Sequence, residues 1–130
     1  MQAGEKNMAR NLLLDCKPQI DKTAYVAPGA VLLGDVRILE DASIWFNCVL
    51  RGDVNYIQVG RRSNLQDLAL CHGLYQTNPV IIGDDVTIGH SAIIHGCVIE
   101  DRCLIGMGAK VLSGATVGAE SIIAAGAVVR

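Results

Sequence analysis

Three histidines, His72, His90 and His95, are all that this 130-residue chain contains, and they stand among Arg51, Asp53, Gln66, Asp67 and Tyr75. Neutral imidazoles are ligands for zinc-class ions, and a single imidazole also serves as a general base. A lone histidine is more often an ordinary surface or core residue. The question is whether the chain brings these three together.

The elements that must position them follow from a period of six residues. From Ile20 onward a large aliphatic recurs at Val26, Leu32, Ile38, Ile44 and Leu50, then at Val59, Leu65, Ile82, Ile88, Ile94, Ile99, Ile105, Val111, Val117, Ile123 and Val129, with Cys71 the one exception. Four places after most of these stands a small or short side chain, among them Ala24, Ala30, Ala42, Cys48, Val54, Ala69, Ala92, Val98, Cys103 and Ala109. Neither the 3.6-residue helical period nor simple strand alternation keeps two such columns in phase over this length. The pattern predicts an all-β fold, a single-stranded left-handed parallel β-helix of hexapeptide repeats, with three short strands making one triangular coil of about eighteen residues. Gly60, Gly83, Gly89, Gly106 and Gly118 each follow an aliphatic position and are read as tight-turn residues. One domain is expected over residues 1–130, with 1–15 as a lead-in. Three interruptions break the period: three residues inserted at Tyr56 to Gln58, five in a loop within Gly73 to Ile81, and one missing between Ile94 and Val98. Loops on a repeat scaffold commonly gather on one binding face.

The register sorts the polar residues into columns. Arg51, His72 and His95 each follow an aliphatic position, in hexads three apart, so they stack on one face. Gln66, Asp67 and His90 form a second column on a neighbouring face, with Asp67 beneath His90. His72 and His95 can then lean onto one ion at a bond length of about 2.0 to 2.1 Å. His90 lies round a corner of the same coil and is poorly placed to join them within its own subunit. If one column of a subunit faces the other column of the next, a closed three-fold ring brings all three imidazoles to each of three equivalent sites.

At these residues the sequence resembles the γ-class carbonic anhydrases and their relatives among hexapeptide-repeat proteins, through WFNCVLRGDVNYIQVG, RRSNLQD, CHG and IGHSAIIHGCVIEDRCLIGMGAKVLSGATVG. The resemblance implies that His72 and His95 ligate the metal from one subunit and His90 from its neighbour in a homotrimer. It further implies that Gln66 orients the bound water or bicarbonate and that Arg51 and Asp67 pair across the interface, with Asp53 close by. The family's metal is zinc, with iron or cobalt in some members, and its reaction is the hydration of carbon dioxide to bicarbonate. In the family's best-studied type the loop after the first histidine carries a proton-shuttling glutamate. Here that segment reads GLYQTNPV, without a carboxylate, so proton export falls to Tyr75 or buffer and weak turnover is expected. Against that family pattern, the C-terminal helix is expected to be absent or truncated here.

Composition narrows the alternatives. Net charge is -2 with no basic run, which argues against nucleic acid as a partner. No apolar stretch is long enough to span a bilayer and the N-terminus lacks a signal-peptide pattern, so no membrane association and a cytoplasmic location are expected. Five cysteines, Cys16, Cys48, Cys71, Cys97 and Cys103, include no CxxC pair and are read as small buried thiols. Trp45 and Phe46 are read as edge or subunit packing, and Asp84, Asp85, Glu100 and Asp101 as solvated turn residues. Two other functions remain open: a hexapeptide acyltransferase using one histidine as base, and a metal-binding homologue with little activity.

Overall fold

The computed structural model describes residues 13–130, so residues 1–12 of the expected lead-in lie outside the described residues. From Gln19 onward the chain is a parallel β-solenoid with no helix among the described residues. Each coil visits three faces. The first face stacks the opening halves of β3 (Val31–Ile38) and β5 (Val49–Val59) with β7 (Leu70–His72), β10 (Ile93–His95), β13 (Lys110–Val111) and β16 (Val128–Val129). A second face is built of β2 (Tyr25–Val26), β4 (Ser43–Ile44), β6 (Asn64–Leu65), β9 (Thr87–Ile88), β12 (Leu104–Ile105) and β15 (Ile122–Ile123). The third holds β1 (Gln19–Ile20), the closing halves of β3 and β5, then β8 (Val80–Ile82), β11 (Val98–Ile99) and β14 (Thr116–Val117).

The aliphatic column fills the prism. Ile38, Ile44, Leu50, Leu65, Ile82, Ile88, Ile94, Ile99 and Ile105 are fully buried, each burial favouring the fold by about 1.5–3 kcal/mol. Ser63 is the buried polar residue of the core. Its hydroxyl donates to the Gly83 carbonyl at 2.6 Å and accepts from Val86 N at 2.9 Å, so its burial leaves nothing unsatisfied.

Strand pairing measures the coil directly. Val26 pairs with Ile44 and Ile105 with Ile123, a separation of eighteen residues, whereas Ile44 pairs with Leu65, Leu65 with Ile88 and Ile88 with Ile105. Those last three coils are three and five residues longer and one shorter, as the interruptions require. All three irregularities lie on the edge between the first and third faces. The first sits at Asp53 to Tyr56 rather than at Tyr56 to Gln58, because Gly52 pairs with Gly34 and Ile57 with Val36. Ile57, not Val54, therefore takes the inward place and is fully buried. Likewise Cys97, not Val98, is the inward residue where one is missing.

Three other readings change. The glycines that follow aliphatic positions are not the ones with positive φ. Left-handed backbone falls instead on Asp41, Arg62, Asp85, Arg102 and Glu120 at one corner, and on Asn47, Leu68 and Ser91 at the next. Gly60, Gly83 and Gly106 are needed because a Cβ would run into the adjoining coil: the Gly83 carbonyl, the Asp101 carboxylate and the Ala125 amide respectively. Cys16 is exposed, unlike the other four cysteines. The turn carboxylates also do more than face solvent. Asp84 Oδ1 accepts from Arg61 N at 2.7 Å, Asp101 Oδ1 from Asp84 N at 2.8 Å and Glu100 Oε2 from Ala119 N at 2.9 Å, tying successive coils together.

Candidate metal centre

The first face carries one column of site residues because of strand register. Arg51 pairs with His72 and His72 with His95, so three outward side chains stand on successive coils. Their aliphatic neighbours Leu50, Cys71 and Ile94 point inward and are fully buried, which fixes the outward direction of the polar set.

The column is extended into a continuous chain of contacts. Arg51 Nη1 donates to Asp53 Oδ2 at 2.6 Å, and His72 Nε2 meets Asp53 Oδ1 at 3.0 Å. His72 Nδ1 lies 3.2 Å from His95 Nε2, and His95 Nδ1 lies 2.8 Å from Ser113 Oγ. Burial alone would raise the pKa of Asp53, but the hydrogen bonds from Arg51 and His72 and their charges outweigh it and hold the carboxyl below its ordinary value. Burial pushes His95 below its ordinary value, helped by the neighbouring His72 and Arg51, so the neutral, ligating form dominates at neutral pH.

The three irregularities brace this column from one side. Asn55 Nδ2 donates to the Leu74 carbonyl at 3.0 Å while its Oδ1 accepts from Tyr56 N at 3.0 Å, so the first insertion is clamped to the second. The second insertion is closed by Leu74 N donating to Asn78 O at 2.7 Å, and it holds Tyr75 half-exposed. A Cβ at Gly73 would meet Asn55 and one at Gly96 would meet Asn78 and Ser113, so these loops stack closely beside the imidazoles.

The second column occupies the corner that follows the second face. His90 Nδ1 lies 3.2 Å from Asp67 Oδ2, and Asp67 Oδ1 accepts from Phe46 N at 3.2 Å. His90 is about half exposed, with Nε2 free of the carboxylate. Gln66, Asp67 and His90 line an open surface hollow with Ser43, Trp45 and Asn64. Ser43 and Asn64 were not singled out from sequence, although they share a strand register with Thr87, whose hydroxyl accepts from Asn64 Nδ2 at 3.0 Å. Trp45, Phe46 and Tyr25 form an exposed aromatic group beside the hollow.

The donor set can be tested against a zinc-class ion. Two nitrogens on a tetrahedral ion at 2.0–2.1 Å stand about 3.3 Å apart, close to the 3.2 Å between His72 and His95. Each histidine has its other ring nitrogen against an oriented partner, Asp53, Ser113 or Asp67, the arrangement that holds metal-ligating imidazoles. The residues therefore fit such an ion, but no group of three or more His, Cys, Asp or Glu that could hold one forms among the described residues of a single chain. Among those residues no helix is long and apolar enough to cross a membrane.

Comparison with known proteins bears on what the centre does. Residues 96–130 match the family described as bacterial transferase hexapeptide (six repeats). The chain is 50% identical over 123 residues to gamma carbonic anhydrase 1, mitochondrial, of Arabidopsis thaliana, covering 91% of this chain and 45% of that protein. It is 45% identical over 101 residues to carbonic anhydrase of Geobacillus kaustophilus, covering 78% and 55% respectively. The crystal structure of a hexapeptide transferase family protein from Anaplasma phagocytophilum superimposes with a TM-score of 0.67 at 39% identity, over 85% of this chain and 68% of that one. The chain spans about half the length of the curated relatives it matches.

Proposed function

The chain belongs to the carbonic-anhydrase-like hexapeptide-repeat family, and from that premise we propose a metal-dependent carbonate dehydratase. Carbon dioxide is the substrate, bicarbonate the product, and the working unit is a homotrimer with its sites between subunits. The observation that carries the reading is the His72–His95 nitrogen pair at 3.2 Å, two ligands' worth of separation with no third ligand beside it among the described residues of the same chain. His90, half exposed and braced by Asp67, is the matching third imidazole when it comes from a neighbouring copy. Zinc, iron or cobalt suits three neutral imidazoles with an open position. When bound, such an ion supplies the Lewis acidity that brings the ionisation of water into the neutral range.

The chain's own residues do the rest. Gln66, on the edge of the hollow beside His90, has an amide that both donates and accepts, which allows it to orient an oxygen species whichever protonation state it holds. Asp53 holds the His72 Nε2 proton and keeps that ring in one orientation. Arg51, held by Asp53, and Asp67, held by Phe46 N, stand on the two columns that would meet, so their opposite charges favour that docking. Tyr75 sits half-exposed in the loop clamped beside the imidazoles, where its hydroxyl can relay a proton to bulk buffer.

Purified protein should hold about one ion per chain and hydrate carbon dioxide, with both lost in His95→Ala. Full metal content with no hydration at any buffer concentration would leave a metal-binding homologue with little activity. The likeness to a hexapeptide transferase family protein favours a second reading, acyl transfer with one histidine as base. Tight binding of acetyl-CoA to metal-free protein would support that reading against the first.

A further inference from the structure

Ser113 differs from the other two partners of the imidazoles, Asp53 and Asp67, in being a hydroxyl that can donate as well as accept, and its Oγ is 2.8 Å from His95 Nδ1. Proton positions along the chain of contacts follow from the acceptors. An ionised Asp53 can only accept, so in the uncharged pair the proton of His72 sits on Nε2 and its Nδ1 is bare. The 3.2 Å contact between His72 Nδ1 and His95 Nε2 then places the His95 proton on Nε2. His95 Nδ1 is left bare, and the Ser113 hydroxyl donates to it.

Ligation at His95 Nε2 requires the opposite arrangement, with the lone pair on Nε2, the proton on Nδ1 and Ser113 accepting. We infer that Ser113 is a positioning residue whose hydroxyl reverses its hydrogen bond, carrying His95 from the Nε2–H to the Nδ1–H tautomer as the centre loads. The inference rests on the metal reading and deepens it. The balance is closed, because Nε2 gives its proton to solvent while the Ser113 hydroxyl passes its own to Nδ1 and takes another from solvent, so the serine stays a hydroxyl and the imidazole has no net release. The two histidines are thereby held differently. His72 has a partner that only accepts and keeps one tautomer throughout, whereas His95 has a partner able to serve either tautomer.

The test is nitrogen-15 NMR of histidine-labelled full-length protein, metal-free and zinc-loaded, with zinc affinity measured by chelator competition. His95 should be Nε2–H without metal and Nδ1–H with it. Ser113→Asp, whose carboxylate only accepts, should show Nδ1–H before any metal is added. Ser113→Ala should weaken zinc binding about 10- to 100-fold, and Ser113→Thr should restore it, with thermal melting confirming that each variant is folded. Nδ1–H in both states of the wild type, or Ser113→Ala binding zinc as tightly as wild type, overturns the role of the hydroxyl. A wild type that takes up no zinc overturns the metal reading and the inference with it.

Discussion

The division of the centre between two columns predicts a quantitative complementation. His90→Ala subunits keep the first-face column of Arg51, His72 and His95, and His95→Ala subunits keep the corner column of Gln66, Asp67 and His90. Neither variant alone can form a complete site in a ring of identical copies. In trimers assembled at random from equal amounts of both, a complete site arises only where a His90→Ala subunit presents its first face to the corner of a His95→Ala neighbour. Each condition holds half the time, so about one quarter of the sites should be intact, whatever the internal order of the ring. Unfolding the variants together, refolding them with excess zinc and removing weakly held ion should yield about a quarter of the wild-type zinc and hydration rate. Unmixed controls should yield almost none. A mixture as empty as its parents would refute the shared-site reasoning, as would either variant alone holding a full complement of metal.

Other predictions follow from the solenoid itself. Burial pushes the Cys97 thiol up to about 12, so the stability it contributes is whole below the unfolded thiol value near about 8.5 and drains as pH rises toward the folded one. Urea midpoints measured from pH 8 to 11 should fall, and Cys97→Ala should flatten that fall; an unchanged slope would be inconsistent with the burial. Thiol titration of the folded chain should modify Cys16 quickly and Cys48, Cys71, Cys97 and Cys103 only on unfolding, since those four are buried. Gly60→Ala should cost about 1–3 kcal/mol or more by overpacking, because its Cβ meets the backbone carbonyl of Gly83, which cannot swing aside. A stability within error of wild type would contradict the close coil contact.

Much of the site was legible because period six converts sequence distance into height. Once the inserted residues are discounted, the pairing of Arg51 with His72 and His72 with His95 follows from the aliphatic column alone. What hydrophobicity could not resolve was which of two neighbouring apolar residues points inward at an irregular corner. Val54 and Ile57 are both aliphatic, and only strand pairing shows that Ile57 takes the interior. Cys97 and Val98 pose the same ambiguity. The glycines were recognised but for another reason: the left-handed turn position tolerates Asp, Asn, Arg and even Leu68, whereas contact between coils excludes any Cβ at Gly60 and Gly83. Ser113 was invisible as a site residue. It belongs to a later coil without histidine, and its contact arises where the coil through His95 is one residue short, next to Gly96.

The source of the third imidazole decides whether the centre is shared between subunits. Diffraction from crystals of the zinc-soaked protein, recorded at the zinc absorption edge, would locate the ion without reference to activity. One anomalous peak per chain is predicted, bonded by His72 and His95 of one subunit and by His90 of an adjoining copy in a three-membered ring. A peak lacking His90, or none at this position, would contradict it.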